Sequence, residues 1–234
     1  MSTKIIAHRG FSGMEPENTE LAFIAAGNRK EFYGIETDVH RTADGKYVVI
    51  HDDSTLRVAG VSIDVEDSTL EELQAIALLD KDGASNPCVR IPTLRDYIKT
   101  CRRYGKVSVL EIKSEMSPGD ISEVVKIIRE LGMLDKTVFI SFHASCMTAI
   151  RELLPEQPAQ FLFDNWDKTV EDFIVKYRLD VDIRDGGLDR AAFDRMKELG
   201  KTVNVWTVND PSRAAELASW GVDMITTNII TEIN

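Results

Sequence analysis

The chain has 234 residues, 43% of them hydrophobic, which suits one large domain with a sizeable core. Its formal net charge of -11 argues against a nucleic-acid partner, because an acidic surface repels phosphates. A substrate that carries phosphate would therefore need a local cluster of cations.

The cysteines and the amino-terminal sequence indicate a cytoplasmic protein. Cys88, Cys101 and Cys146 are widely spaced and lack any metal-binding pattern, so we interpret them as reduced thiols. The first ten residues contain no signal-peptide core, and no apolar run is long enough to span a bilayer. We expect no stable membrane anchor.

The first third of the chain predicts three strands and one helix. Lys4 to His8 is a short apolar run, and an amphipathic run that ends at Ala26 follows it, with Asn18 or Thr19 placed to cap a helix. Two further strand-like runs, from 35 to 39 and from 47 to 50, flank the turn signal at residues 43–46. The second of these runs ends at His51.

Glu36 and Asp38 are the most informative pair in this region. They lie two residues apart in a strand-like run, so their side chains share one face of the strand. A buried face accepts two carboxylates only with a compensating cation. The pair therefore indicates a cation site.

An acidic, polar insertion follows the second strand and its turn. Residues 54–90 contain no Phe, Trp or Tyr. Within the insertion, the capping box Ser68-x-x-Glu71 predicts one helix from Thr69 to Leu79. Another helix is predicted to start at residues 91–94 and to end before Gly105.

Beyond residue 105 the strands and helices alternate regularly. Together with the first two strands, they make about eight β/α units, which predicts an α/β fold of the TIM (β/α)8 barrel type with a small insertion after the second strand. We expect residues 1–234 to form one domain. An open doubly wound sheet is the main alternative, but no Gly-x-Gly-x-x-Gly follows the first strand. The strand-like runs are Val107 to Ile112, Thr137 to Phe142, Ala159 to Phe163, Leu179 to Ile183, Thr202 to Val208 and Asp223 to Thr226, with helical patterns near 120–131, 145–153, 169–177, 189–199 and 212–219.

In such a barrel the chemistry lies at the carboxyl ends of the strands. Glu111 at the end of the third barrel strand would join the two earlier acids in an oxygen-rich site, which suits Mg²⁺ or Ca²⁺ better than zinc. His8 and His51 would flank the ion as general base and general acid, although the residues do not fix the order. Arg9 and Lys113 would attract an anionic group.

Other polar residues lie at the strand ends, and their expected positions are as follows. We expect His40 to face solvent, since it follows the apolar part of its strand. His143 could line the pocket or support a loop. Arg184 and Asp185 could bind a substrate headgroup, although pairing with neighbours on the rim is favoured.

Ten motifs along the chain match a known enzyme family. In this order, from residue 4 to about residue 228, the chain resembles the glycerophosphodiester phosphodiesterases. The motifs are His8-Arg9-Gly10, Pro16-Glu17-Asn18-Thr19, Glu36-Thr37-Asp38-Val39, Thr42-x-Asp44-Gly45, His51-Asp52, Thr55-Leu56, Ile91-Pro92-Thr93-Leu94, Glu111-Ile112-Lys113, Val205-Trp206-Thr207-Val208-Asn209 and Gly221-Val222-Asp223.

The resemblance implies a TIM barrel with an insertion at about residues 52–90. It also implies metal-dependent hydrolysis of a small glycerophosphodiester to sn-glycerol 3-phosphate and an alcohol. We expect a monomer or a homodimer. Direct attack by water and a cyclic phosphate intermediate both stay open. The implied site residues are the metal ligands Glu36, Asp38 and Glu111, the acid/base pair His8 and His51, and the substrate contacts Arg9, Lys113 and Trp206.

Two other functions stay open. A lysophospholipase D or phospholipase-type enzyme should expose an apolar or aromatic docking surface, which the insertion lacks. A catalytically silent, phosphodiester-binding barrel would be expected to lose a histidine or a metal acid, and none is missing. One departure from the family pattern, Thr226-Thr227-Asn228 in place of the frequent Thr-Asp, puts a contact behind the metal ligands in question.

Overall fold

The computed structural model describes residues 2–233 and contains a closed barrel of eight parallel strands with helices between them. The strands are β1 (Lys4–Ala7), β2 (Phe32–Arg41), β3 (Tyr47–Val49), β4 (Leu78–Leu79), β5 (Ser85–Asn86), β6 (Val107–Ile112), β7 (Thr137–Ser141), β8 (Ala159–Phe163), β9 (Asp180–Arg184), β10 (Val203–Trp206) and β11 (Met224–Thr227). The helices are α1 (Glu20–Gly27), α2 (Leu56–Ala59), α3 (Leu70–Ala75), α4 (Leu94–Tyr104), α5 (Pro118–Glu130), α6 (Ala144–Leu153), α7 (Lys168–Lys176), α8 (Arg190–Glu198) and α9 (Pro211–Trp220).

The barrel closes between its first and last strands. The strand order is β1-β11-β10-β9-β8-β7-β6-β2-β3, and an additional pairing of β1 with β2 completes the ring. β3 lies outside the ring as an antiparallel partner of β2. The predicted TIM barrel is therefore confirmed, and the open doubly wound sheet is excluded.

Strand residues alternate between two apolar cores. Residues that face outward pack against the helices in the largest core cluster, which includes Val181 and Ile183 of β9. Residues that face inward form a smaller cluster of Ile6, Val109 and Ile140 with two further residues, Leu162 and Met224. Since side chains alternate along each strand, this small inner core fills the barrel interior next to the polar residues at the strand ends.

The insertion packs as a separate layer over β3. It contains α2, α3 and the β4–β5 hairpin, and its own apolar cluster includes Val65, Leu73 and Val89. The predicted helix from Thr69 to Leu79 is too long, because Ile76 is extended and Leu78–Leu79 is a strand. The capping box is also shifted by one residue, since Thr69 and Glu72 form it.

Other helix boundaries agree closely with the sequence patterns. Thr19 caps α1, and α4 begins after Thr93 and ends at Gly105, whose φ of 68° is the left-handed conformation that glycine favours. Among the described residues, no helix is long and apolar enough to cross a membrane.

Candidate active site

One pocket at the carboxyl ends of the barrel strands collects the predicted site residues. It has a volume of about 130 Å³ and is lined by both charged and apolar side chains. Asp38 lies just behind the wall, only 1% exposed. The other seven predicted residues line the pocket: His8, Arg9, Glu36, His51, Glu111, Lys113 and Trp206.

The three acids come together because β2 and β6 are neighbours. Asp38 lies opposite Glu111 in the parallel register, and Glu36 precedes Asp38 on the same face of β2. One oxygen from each carboxylate lies within 4.8 Å of the others, and all three side chains are buried. This buried set of hard oxygen donors fits a divalent cation such as Mg²⁺ or Ca²⁺.

The charges of these acids conflict without such a cation. Burial and the charge of Asp38 raise the pKa of Glu111 to about 8. Burial, followed by the charges of Asp38 and Glu111, raises the pKa of Glu36 well above its usual range. Burial would also raise the pKa of Asp38, but nearby cations, Arg9 foremost, hold it below its usual range. The site therefore disfavours three ionised carboxylates at once.

Two residues in the β1–α1 loop orient the acids on β2. The backbone N–H of Arg9 donates to Glu36 Oε2 at 2.8 Å, and Asn18 Nδ2 donates to Asp38 Oδ2 at 2.7 Å. Both Arg9 and Asn18 have φ near 55°, an uncommon conformation for residues other than glycine. The loop is thus shaped to bring two hydrogen-bond donors to the carboxylates.

Lys113 lies between the acids and His51. Its Nζ is 3.1 Å from Glu111 Oε1, 3.7 Å from Asp38 Oδ1 and 2.9 Å from His51 Nε2. Burial alone would lower the pKa of Lys113, but the carboxylates of Glu111 and Asp38 outweigh it and raise that pKa. Lys113 is therefore a fixed positive charge at the centre of the pocket.

His51 is held by the residue that follows it in the chain. Its Nδ1 lies 2.6 Å from Asp52 Oδ1, so that Nδ1–H donates to the carboxylate and Nε2 faces Lys113. Burial lowers the pKa of His51, and the charge of Asp38 opposes this effect. The negative Asp52 beside the ring favours the imidazolium form whenever His51 takes up a proton.

His8 has a different environment. Its Nδ1 lies 2.7 Å from Asn228 Oδ1, and its Nε2 lies 3.9 Å from Glu36 Oε2. Burial and then the charge of Arg9 lower the pKa of His8 to about 4, so the ring is neutral near pH 7. Asn228, where the chain departs from the family pattern, is therefore in direct contact with His8.

Two further residues link the site to the insertion. Glu17 accepts from Arg9 Nη1 at 2.8 Å and from both Nη atoms of Arg57, also at 2.8 Å. Arg57 on α2 then donates to Asp52 through Nε at 2.6 Å. A continuous chain of ion pairs therefore joins Arg9 to the partner of His51.

Trp206 is one of the apolar residues that line the pocket. Its ring meets that of Phe142 edge to face, with centroids 5.6 Å apart, and its Nε1–H donates to the Asp182 carbonyl at 3.3 Å. The indole therefore serves as pocket wall and also packs on the inner core.

Several residues at the strand ends lie outside the pocket. The expectation that His40 faces solvent is wrong: the side chain is fully buried, with Nδ1 3.1 Å from Glu66 Oε1, because the insertion covers this end of β2. His143 supports a loop, since its Nε2 lies 3.2 Å from the Lys113 carbonyl. Arg184 pairs with Asp164 at 3.1 Å, which agrees with the favoured place on the rim.

Comparison with known proteins identifies the family. The model of the glycerophosphoryl diester phosphodiesterase family matches residues 8–232. YhdW of Bacillus subtilis (strain 168) is 34% identical over 230 residues, which is 96% of this chain and 93% of that protein. The chain belongs to the glycerophosphoryl diester phosphodiesterase family. The family resemblance inferred from the sequence motifs is thereby confirmed.

Other members of the phosphodiesterase family agree in sequence and structure. The glycerophosphodiester phosphodiesterase of Caldanaerobacter subterraneus is 33% identical over 165 residues, or 70% of this chain and 68% of that protein. A phosphodiesterase from Oleispira antarctica was solved in complex with the product sn-glycerol-3-phosphate. It superposes with a TM-score of 0.92 at 26% identity, over 99% of this chain and 95% of that chain.

Some residues in and around this phosphodiesterase pocket were not singled out as site residues from the sequence. Glu17 and Asp52 were noted only as parts of motifs and Asn18 also as a possible helix cap, and nothing in the linear pattern shows which side chain each one holds. Asp182 also lines the pocket. Its signal was present, since Asp180, Asp182 and Arg184 alternate with the apolar residues of β9, as Glu36 and Asp38 do on β2.

Proposed function

We propose that the chain is a metal-dependent phosphodiesterase that hydrolyses glycerophosphodiesters to sn-glycerol 3-phosphate and an alcohol. One observation carries the proposal: two histidines, two cations and two acids of a buried triad line a single small pocket, and the third acid lies just behind its wall. The family membership and the relatives named above support the same reaction class. We also propose that residues 1–234 act as one domain.

Glu36, Asp38 and Glu111 would hold the divalent cation, Mg²⁺ or Ca²⁺. When bound, the ion supplies positive charge to a phosphoryl oxygen and acidifies the attacking hydroxyl. The raised pKa values of Glu36 and Glu111 support this role, because an added cation resolves the conflict among the three acids.

His8 and His51 would move the protons. The pKa of His8, lowered to about 4, keeps its Nε2 free to accept a proton from the attacking hydroxyl. His51 would protonate the departing alcohol, because Asp52 holds its Nδ1–H and stabilises the protonated ring. The reversed assignment would exchange these roles, and a pH–rate profile of His51→Ala against His8→Ala separates the two.

The remaining predicted residues would bind the substrate. The Arg9 side chain and the ammonium of Lys113 place positive charge at the pocket mouth and centre, where they would offset the phosphate charge. Trp206 would pack against the carbon chain of the glycerol part. Although both cations also face acids, a metal ion that offsets those acids would leave Arg9 and Lys113 able to attract an anion despite the net charge of -11.

The direct test is release of sn-glycerol 3-phosphate from glycerophosphocholine by purified protein. We expect activity with Mg²⁺ or Ca²⁺, none after chelation, and a loss of at least about 100-fold in His8→Ala with the fold intact. Lysophospholipid, assayed in parallel, distinguishes the lipid-acting alternative. No metal-stimulated release, or equal activity of the His8 variant, would reject the proposal.

We further propose a cytoplasmic location and a monomeric or homodimeric state. The three free cysteines, two of them buried, support a reducing environment. Light scattering of the purified protein measures the oligomeric state.

A further inference from the structure

Asp182 is a carboxyl group that the proposed mechanism does not use. It lies in the middle of β9, is 1% exposed and contributes to the wall of the active-site pocket. Val181 and Ile183 on either side of it belong to the outer core, so alternation along the strand directs Asp182 into the barrel. It stands apart from the acidic triad on β2 and β6.

One oxygen of this carboxyl is without a partner. Among the described residues, no group forms a hydrogen bond with Asp182 Oδ1. Its neighbours across the sheet are Leu162 on β8 and Asn204 on β10. Asn204 bonds Thr226, whose Oγ1 lies 3.0 Å from its Nδ2 and 3.2 Å from its Oδ1, and its amide also favours the ionised form of Asp182, but Asp182 Oδ1 keeps no partner. A buried polar atom left unpaired in a pocket wall needs a partner, and an atom of a bound ligand can supply it.

The surroundings indicate what kind of ligand atom fits. Apolar side chains of the inner cluster also line the cavity: Leu162, the neighbour of Asp182 on β8, with Ile140 and Trp206. A group with carbon faces and hydroxyls matches such a wall. Burial, followed by the charge of Glu111, raises the pKa of Asp182 well above its usual range, and a neutral carboxyl suits a hydroxyl better than a cationic headgroup.

We propose that Asp182 is a specificity-determining residue that hydrogen-bonds a hydroxyl of the glycerol part of the substrate. The inference rests on the proposed function and adds a basis for choosing polyol phosphates over plain alkyl phosphates. A site built around a hydrogen bond to a hydroxyl rejects the analogue that lacks it, because the buried polar group is then left unpaired.

The test compares the binding of two ligands with the same three carbons and the same phosphate. sn-Glycerol 3-phosphate carries two hydroxyls, whereas propyl phosphate carries none. Calorimetric titration of the metal-loaded wild type should show a preference of about tenfold or more for glycerol 3-phosphate. In Asp182→Leu the preference should fall to about twofold or less, with the Kd of propyl phosphate nearly unchanged.

Three variants sharpen the comparison. Asp182→Asn, which keeps a hydrogen-bonding group of the same shape, should retain more of the preference than Asp182→Leu. Asp182→Val repeats the apolar test if the leucine does not fold. Asp180→Asn changes an acid on the same strand whose Oδ1 accepts from the Thr202 N–H, outside the pocket, and should keep the full preference.

A wild-type preference that persists in both apolar variants would overturn the inference. If those variants still hydrolyse glycerophosphocholine, the proposed function stands and only the role of Asp182 fails. A wild type that binds neither ligand and releases no product would reject both proposals together.

Discussion

At the scale of single residues, the pocket depends on how each functional group is held by a neighbour. His8 and His51 illustrate this point, because each donates its Nδ1–H to a different partner, Asn228 and Asp52. The Asn228 amide is neutral, so it provides no counter-charge to His8. The Asp52 carboxylate provides a negative charge beside His51, so two chemically identical rings acquire different proton affinities.

Replacing Asp52 by Asn should therefore impair proton transfer more than binding. The amide cannot stabilise the imidazolium, and it can turn its NH₂ toward Nδ1 and favour the wrong tautomer. We expect kcat to fall about tenfold or more with a small change in KM. Asp53→Asn, one residue further at an exposed position, is the control and should retain wild-type kinetics. A mutant equal to wild type across the pH–rate profile would remove Asp52 from this role.

The residue types that matter were largely predictable, but their partners were not. The spacing of two residues between Glu36 and Asp38, and between Glu111 and Lys113, predicts that each pair shares one face of its strand. No spacing shows that Asn228, 220 residues away, meets His8. That contact requires closure of the barrel, which is a property of the whole strand order. Asp182 follows the same alternation as the acids on β2, but no spacing shows that its Oδ1 lies unpaired in the pocket wall.

At the scale of elements, the insertion is a structural part of the site. Its short helix α2 presents Arg57 to both Glu17 and Asp52, and thereby ties the insertion to the β1–α1 loop. The hydrogen bond from Lys81 Nζ to the Ser12 carbonyl, 2.7 Å long, joins the same two segments at a second point. The insertion thus fixes the loop from which Arg9 and Asn18 reach the acids.

Arg57→Ala should separate the effect on activity from that on stability. The Arg57 side chain is 47% exposed, so its ion pairs should contribute less than about 1 kcal/mol to the free energy of unfolding. Loss of the link should still lower kcat/KM by roughly tenfold, because Asp52 and Glu17 lose their common partner. Arg95→Ala removes a similarly exposed pair with Glu130 away from the pocket and should leave kcat/KM unchanged. Equal kinetics in the two variants would contradict the proposed coupling.

The insertion was also where prediction from sequence was weakest. Two overlapping capping frames, Ser68 with Glu71 and Thr69 with Glu72, fit the pattern equally well. Tertiary contacts decide between them, because Ser68 Oγ donates to the Asp64 carbonyl and leaves Thr69 as the cap. His40 was misplaced for a related reason: a short linear pattern does not reveal that another segment will cover the end of a strand.

At the scale of the whole molecule, the acidic triad should make the free energy of unfolding depend on pH, and bound metal should change that dependence. In the metal-free protein the pKa of Glu111 is raised from 4.5 to about 8. Between these values the folded state binds more protons than the unfolded chain. The free energy of unfolding should therefore fall as pH rises through this window.

Thermal unfolding between about pH 6.5 and about pH 8 tests this expectation, because below about pH 6.5 the lowered pKa of His8 contributes the opposite slope. With chelator, Tm should decline toward the higher pH, and Glu111→Gln should flatten the decline. Metal at about 100 times its Kd should add about 2.7 kcal/mol to the free energy of unfolding. At a fixed metal concentration this gain should be larger at higher pH, because the ligands must be deprotonated to bind the ion. Glu130→Gln, a surface change, should keep the wild-type slope. A wild-type Tm that rises with pH in chelator would contradict the assignment.

The closure of the barrel also has a consequence for the order in which the chain gains its chemistry. The β1–β11 pairing and the contact of His8 with Asn228 connect segments 220 residues apart. A ribosome releases the metal ligands, both site histidines and the insertion before it releases residue 228. A nascent chain that already carries all three acids still lacks the strand that seals the barrel beside His8. The growing polypeptide should therefore stay inert until the segment that contains β11 and Asn228 has left the ribosome.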